Sequence, residues 1–335
     1  MISTDGKLRV GVVGAGSMGR HHVRILAGNR AVTFSGLYDP DPDRGVFFCR
    51  TYGCSAFDSL DALLERSDAV SVAAPTSEHL SIGLRCVEKR VHVMMEKPLA
   101  DSGPNARRLV EAARERGIVL MVGHVERYNP AVRALMDMLD ENEEVVSIDC
   151  RRLAPFDGSR CLDVDVLYDL LIHDVDLALE IADSPIVRVS AAGRPIFSHQ
   201  IDVAHARIEF LNGTVAVFRT SKCSPKKVRS FTVSTPCRYL EADTLADRLT
   251  VSSADSVPSI DKGACFMAGM RTEEITVPKV EPLKAELDDF IDVVQRGGNP
   301  LVNGERALRG LEALESIKQS ILEGRDVRYR SYPRK

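Results

Sequence analysis

The sequence predicts an α/β protein in two parts: a doubly wound parallel sheet, then an α+β region with a large, mostly antiparallel sheet. Three observations predict it. In residues 1–123 short apolar runs alternate with helix-like segments, the rhythm of parallel strands joined by right-handed crossovers. A glycine-rich turn stands between the first run and the first helix. From about residue 145 the rhythm changes to closely spaced strand-like runs, one pair joined by an Asn-Gly turn, the signature of antiparallel hairpins. The expected domains are residues 1–123 and 124–335.

The elements follow in order. Strands are expected at 8–13, 32–38, 69–73, 91–95 and 118–122. Ser59 starts one helix ahead of Leu60, and Ser102 stands two residues before Pro104 at the head of a helix over 105–116. In the second part, alternation over 146–152 places Arg152 on one face with Val146, Ile148 and Cys150. A helical stretch at 162–182 precedes strands at 186–193, 203–210, 214–220, 228–235, 238–242, 248–252 and 274–277. Asn212-Gly213 turns one hairpin. Amphipathic helices at 281–295 and 305–322 close the chain, and 253–271 reads as a mobile loop.

The 335 residues suffice for two cores, and 44% hydrophobic with 27% charged residues is ordinary for globular proteins. A formal charge of -4 offers no field for nucleic acid or an anionic membrane. The basic residues Arg325, Arg328, Arg330, Arg334 and Lys335 read as a solvated tail. No stretch approaches ~18 consecutive apolar residues, and the start carries no apolar core of signal-peptide length, so a cytoplasmic protein is expected. The eight cysteines are scattered without a C-x-x-C pair, which points to reduced thiols and no metal.

Gly14-Ala-Gly16-Ser17-Met18-Gly19 follows a strand and opens a helix. In such a G-x-G-x-x-G turn the first glycine makes the bend, the second lets the backbone approach a pyrophosphate and the third lets helix and strand pack closely. The phosphates then meet the helix N-terminus at Ser17 and Met18. Asp39 stands twenty residues beyond Gly19, where a carboxylate accepts both adenine-ribose hydroxyls and repels a 2′-phosphate. That favours NAD over NADP in a Rossmann domain, with Arg44 able to counter the charge. The competing reading of Asp39 is a turn acid in Tyr38-Asp39-Pro40.

Three further strings are Glu96-Lys97-Pro98, preceded by Ala74-Pro75-Thr76-Ser77-Glu78-His79; Gly123-His124-Val125-Glu126-Arg127-Tyr128-Asn129-Pro130; and Asp169-Leu170-Leu171-Ile172-His173-Asp174-Val175-Asp176. With the glycine turn they resemble the Gfo/Idh/MocA oxidoreductases, in order along the whole chain. Within that family Glu126–Arg133, Arg152-Leu153-Ala154-Pro155-Phe156 and 163–176 are similar to the UDP-N-acetylglucosamine 3-dehydrogenase branch, which serves lipid A precursor biosynthesis. The resemblance implies oxidation of a sugar 3-hydroxyl to a ketone with NAD. It also implies cofactor contacts from Pro75, Thr76, His79, Glu96 and Lys97, a cis Lys97-Pro98 peptide, and a homodimer or homotetramer. Thr76 departs from the Asn common at its position, which weakens one ribose contact.

Hydride removal from an alcohol needs a base for the hydroxyl proton and a cation for the developing alkoxide. Lys97 supplies the cation. His173 is the candidate base, with Asp169 four residues earlier on the same helical face. Without the resemblance, Asp169, His173 and Asp176 read as a solvated polar face. Arg127, Tyr128 and Asn129 are candidates to contact substrate or nicotinamide, although Asn129 equally caps the helix starting at Pro130. Arg152 wants an anion, either a substrate phosphate or an internal carboxylate. The substrate is expected to be a small sugar or nucleotide sugar. An inositol or monosaccharide dehydrogenase and a noncatalytic NAD-binding regulator are the competing functions.

Overall fold

A computed structural model describes residues 6–140, 143–156, 165–254 and 270–329. The chain forms two compact units, one of residues up to Val125 with Glu281–Leu311, the other of Glu126–Val280 with the residues from Glu312 onward.

The first unit holds a parallel sheet of β1 (Leu8–Val13), β2 (Val32–Tyr38), β3 (Ala69–Val72), β4 (His92–Glu96) and β5 (Leu120–Gly123), in the order β2-β1-β3-β4-β5. Strands β3 and β5 are buried along their whole length, as a sheet covered on both faces requires. The crossovers are α1 (Gly19–Ala27), α2 (Pro42–Tyr52), α3 (Leu60–Leu64), α4 (Thr76–Glu88) and α5 (Gly103–Arg116). Ser59 caps α3 by accepting the Ala62 amide at 3.2 Å, and Asp41 caps α2 through the Asp43 and Arg44 amides. The strand order reverses between β1 and β3, so the carboxyl ends of these strands form the crevice where doubly wound sheets take ligands.

The second unit begins with a 3-10 turn (Val125–Tyr128) and α6 (Pro130–Met138). Its sheet comprises β6 (Ser147–Leu153), β7 (Ile186–Arg194), β8 (Val203–Phe210), β9 (Val215–Ser221), β10 (Val228–Ser234), β11 (Arg238–Asp243), β12 (Arg248–Ser253), β13 (Arg271–Ile275) and β14 (Val327–Arg328). Their order is β13-β12-β11-β10-β6-β9-β8-β7-β14. Among the described residues of this sheet only the β6–β9 pair is parallel. Between β6 and β7 a π-helical turn (Leu167–Leu171) runs into α7 (Ile172–Ala182). The core packs Leu135, Leu171, Val175 and Ile317 against Ile148, Ile208, Phe218, Phe231 and Val251 of the sheet.

Helix α8 (Pro282–Arg296) belongs to the first unit, where Glu281 pairs with Arg24 and Asn29 donates to Asp288 at 2.9 Å. Helix α9 (Gly304–Glu323) contributes to both units. The sequence reading assigned everything beyond residue 123 to the second domain; the return of 281–311 to the first is not marked by any composition shift.

Strands β1, β2 and β8 fall where the sequence places them. Strand β13 does not: it runs Arg271–Ile275 rather than 274–277, because pairing with β12 fixes it while its residues are mostly exposed and give no apolar alternation. Val146 is exposed and lies outside β6, unlike Ile148, Cys150 and Arg152. The expected loop at 253–271 and the start of the expected helix at 162 lie largely outside the described residues. No helix among the described residues is long and apolar enough to cross a membrane.

Candidate active site

In the first unit the glycine turn follows β1. Gly14 has φ +87°, and a Cβ there would lie 2.7 Å from the Ala73 carbonyl oxygen. A Cβ on Gly19 would lie 1.9 Å from the Gly14 oxygen, whereas Gly16 faces open space. Met18 stands at the N-cap of α1 without a side-chain cap, and the first turn holds no acidic residue. Ser17 and Met18 are exposed.

Asp39 ends β2 and is buried. Its Oδ2 accepts the Ala15 amide at 2.7 Å and its Oδ1 the Asp41 amide at 2.9 Å, which aims the carboxylate across the glycine turn. Arg44 lies 3.6 Å from Asp39 Oδ2 and 3.4 Å from Asp41. Pro75 and Thr76 open α4 just beyond β3, on the other side of the switch point.

Lys97 follows β4, and its peptide bond to Pro98 is cis. The preceding Glu96 is held from two sides. His22 of α1 donates from Nε2 to Glu96 Oε1 at 3.0 Å, and its Nδ1 meets Ser71 Oγ of β3 at 2.7 Å. The Lys97 amide donates to Glu96 Oε2 at 3.2 Å. Burial pushes the Glu96 carboxyl up, but the His22 hydrogen bond and charge, the Lys97 charge and the Lys97 amide outweigh it and hold the carboxyl below its ordinary value. A Cβ on Gly123 would stand 3.3 Å from Glu96 Cδ. The glycine therefore leaves room for the carboxylate.

His79, expected against the cofactor, instead faces two main-chain oxygens, Pro98 at 2.8 Å and Ala74 at 3.0 Å, and is 1% exposed. The ring stands between the Pro75 loop and the segment that carries Lys97. The sequence reading missed His22 and Ser71. The signal was a histidine on the sheet-facing side of α1 and a serine inside the apolar Ala-Val-Ser-Val strand.

The depressed Glu96 value has a consequence. Its stabilising effect is present above the unfolded carboxyl value of about 4.3 and is lost as pH falls through the lower folded value. His22→Leu is expected to cost about 1.5–3 kcal/mol near pH 7. The Tm gap to the parent should shrink below about pH 4 as both proteins lose the ionised carboxylate. A gap independent of pH would mean that His22 acts through packing alone.

In the second unit Asp169 sits in the π-helical turn and His173 follows on α7. Such turns recur at functional sites because they reset which side chains align. Asp169 is half-exposed with Lys222 Nζ at 3.4 Å, and His173 is partly exposed.

Three expected substrate contacts take other roles. Arg127 is 1% exposed: its Nε donates to Asp176 at 2.6 Å and its Nη2 to Glu180 at 3.2 Å. Arg152 donates to Asp174 at 2.7 Å and to Glu126 at 2.7 Å, so its anion is internal. Buried guanidinium groups need such partners, and breaking one pair costs about 3–5 kcal/mol. Asn129 caps α6 through the Ala131 amide at 3.0 Å and donates to the Thr244 oxygen at 3.2 Å. Tyr128 is buried beside them. The partners were legible in part, since Asp176 and Glu180 share a helix face at i, i+4.

Comparison with known proteins agrees with this fold. A family model for an oxidoreductase family with an NAD-binding Rossmann fold matches residues 8–124, and one for a GFO/IDH/MocA C-terminal domain matches 144–235. UDP-N-acetylglucosamine 3-dehydrogenase of Acidithiobacillus ferrooxidans is 32% identical over 94% of this chain and 97% of its own. Its solved structure aligns with a TM-score of 0.85 at 30% identity, covering 94% of this chain and 98% of that one. The scyllo-inositol 2-dehydrogenase (NAD(+)) of Bacillus subtilis is 25% identical over 96% of each chain. GenD2 from gentamicin A biosynthesis, solved in complex with NAD, aligns with a TM-score of 0.80 at 25% identity over 97% of each chain.

Proposed function

This chain belongs to the Gfo/Idh/MocA oxidoreductase family, and from that premise we propose that it oxidises the 3-hydroxyl of a UDP-amino sugar such as UDP-N-acetylglucosamine, with NAD as acceptor. The observation that carries the dehydrogenase reading is Lys97 at the carboxyl end of β4, fixed by the buried Glu96–His22 pair. The choice of substrate rests on the full-length similarity to the A. ferrooxidans enzyme.

The residues of the first unit suit a dinucleotide. The bare Gly16 and the uncapped start of α1 suit a pyrophosphate, and Asp39 suits the ribose hydroxyls. Pro75 and Thr76 bound the same crevice from β3. A bound NAD would supply the acceptor for the hydride. The chain's own residues do the rest. Lys97 hydrogen-bonds the reacting oxygen and stabilises the alkoxide as it forms. His173 takes the hydroxyl proton. Asp169, with Lys222 Nζ 3.4 Å from its carboxylate, orients the imidazole or a neighbouring sugar hydroxyl. The same reading makes the protein a cytoplasmic homodimer or homotetramer acting in lipid A precursor synthesis.

Asp39 sets the cofactor choice. Asp39→Ala is expected to lower kcat/KM for NAD by about a hundredfold, the loss of two charge-assisted hydrogen bonds at about 1.5 kcal/mol each. NADP turnover should rise, because the carboxylate that repels a 2′-phosphate is gone while Arg44 remains beside the site. Paired NAD and NADP kinetics check this, and an unchanged ratio would remove Asp39 from the ribose site.

The function itself is tested by NADH formation on adding UDP-N-acetylglucosamine. Silence across UDP-sugars with NAD demonstrably bound would overturn the nucleotide-sugar reading. Turnover of inositols without competition from UDP would replace it.

A further inference from the structure

We propose that Arg229, with Lys222, forms an anion subsite in the second unit that takes a phosphoryl group of the substrate. The inference rests on the nucleotide-sugar reading above and names where the nucleotide's diphosphate is held.

Charge pairing on the inner side of the second sheet singles out Arg229. Each of the two deeply buried guanidinium groups is ion-paired with two carboxylates: Arg127 with Asp176 and Glu180, Arg152 with Asp174 and Glu126. Arg229 lies directly opposite Arg152 in the β10–β6 pairing, on the same face, and is partly buried. It has no ion-pair partner among the described residues. Its Nη1 donates to the main-chain oxygens of Leu153 at 2.8 Å and Val228 at 3.0 Å.

A guanidinium carries five N–H groups, two of them on Nη1. With Nη1 spent on carbonyls, the Nε–Nη2 edge keeps three donors in the fork geometry that matches phosphate or carboxylate oxygens bidentately. The two carbonyl bonds fix the plane of the group, so a bound anion meets donors already in place. Burial, and next the charge of Arg152, push the Arg229 group below its ordinary value, against the carboxylates of Asp174, Glu126 and Asp169. A partly desolvated cation beside a second cation is stabilised by an incoming anion.

Lys222 supplies the second charge. It follows β9, where Ser221 pairs with Leu153, the residue whose oxygen holds Arg229. Its amide donates to the Asp202 oxygen at 2.9 Å, and Asp202 is itself fixed by the Ile196 and Phe197 amides at 2.8 and 2.7 Å. Lys222 and Arg229 therefore flank the end of β6, and the charges of both act on Asp169. A diphosphate bound there directs its sugar toward Asp169 of the π-helical turn and His173, which follows on α7.

The test is calorimetric titration of the full-length, NAD-loaded protein with UDP, in the parent, Arg229→Gln and Lys222→Gln. The expected result is a Kd for UDP raised about 30-fold by Arg229→Gln and about tenfold by Lys222→Gln, with KM for the UDP-sugar rising in parallel. A purely structural Arg229 would lower Tm and leave the UDP affinity of both variants at the parent value, which overturns the proposal. So does a parent that binds no UDP. Failure of the nucleotide-sugar reading looks different: no UDP-sugar is turned over, while UDP still binds in an Arg229-dependent way.

Discussion

Lys97→Ala is expected to lower kcat by about a thousandfold, the loss of one preorganised donor at a developing oxyanion. The surroundings of Lys97 make this a clean experiment. The main chain at that point is held by Glu96 accepting the Lys97 amide, by His22 behind Glu96 and by His79 on the Pro98 oxygen. None of these hydrogen bonds uses the lysine side chain, so the substitution removes the ammonium and leaves them in place. Lys97→Arg should recover little, because a planar guanidinium does not occupy the place of a compact ammonium. Steady-state turnover of the parent and the two variants decides the matter. A Lys97→Ala enzyme within tenfold of the parent would show that no cation is required at the alkoxide.

His173→Asn is expected to lower kcat by about 10²–10⁴-fold, the range that a positioned base contributes. Asparagine keeps a polar side chain on α7 without a group that takes a proton, so folding and core packing around Leu171 and Val175 are retained. Asp169→Asn should cost less, about tenfold, since it changes the charge beside the base and not the base. If Lys97 and His173 serve one transition state, their losses do not add: the double variant should be little slower than the slower single one. Additive losses would mean that the two act in separate steps. His173→Asn with parental kcat would remove it from the chemistry.

Which features the sequence revealed follows from the range of the forces that set them. Local rules sufficed for the glycine turn, for the Ser59 cap and for the hairpin at Asn212-Gly213, where Gly213 takes φ +93° and the Phe210 amide donates to Thr214 at 3.0 Å. The buried parallel strands were legible because β3 and β5 show no polar face to confuse their limits. Edge strand β13 was displaced because its register is imposed by β12 and its exposed side chains carry no pattern. At the site the long-range partnerships were hidden. His22 meets Glu96 across 74 residues and Arg127 meets Asp176 across 49, so a basic residue read as a substrate contact is ion-paired internally. Arg152 shows the limit well: its alternation was visible and demanded an anion, but only the fold shows that Asp174 and Glu126 provide it. The π-helical turn at Leu167–Leu171 left no trace in the residue pattern, since its sequence Leu-Tyr-Asp-Leu-Leu serves an α-helix equally well.

The proposed chemistry requires Lys97 and His173 to act on one and the same hydroxyl. An experimental structure of the protein with NAD and UDP-N-acetylglucosamine tests it most directly. The prediction is a single sugar oxygen, the 3-hydroxyl, within about 3.2 Å of both Lys97 Nζ and a ring nitrogen of His173. A substrate whose 3-hydroxyl touches one of them, with the other bound to a different group or to none, would contradict it.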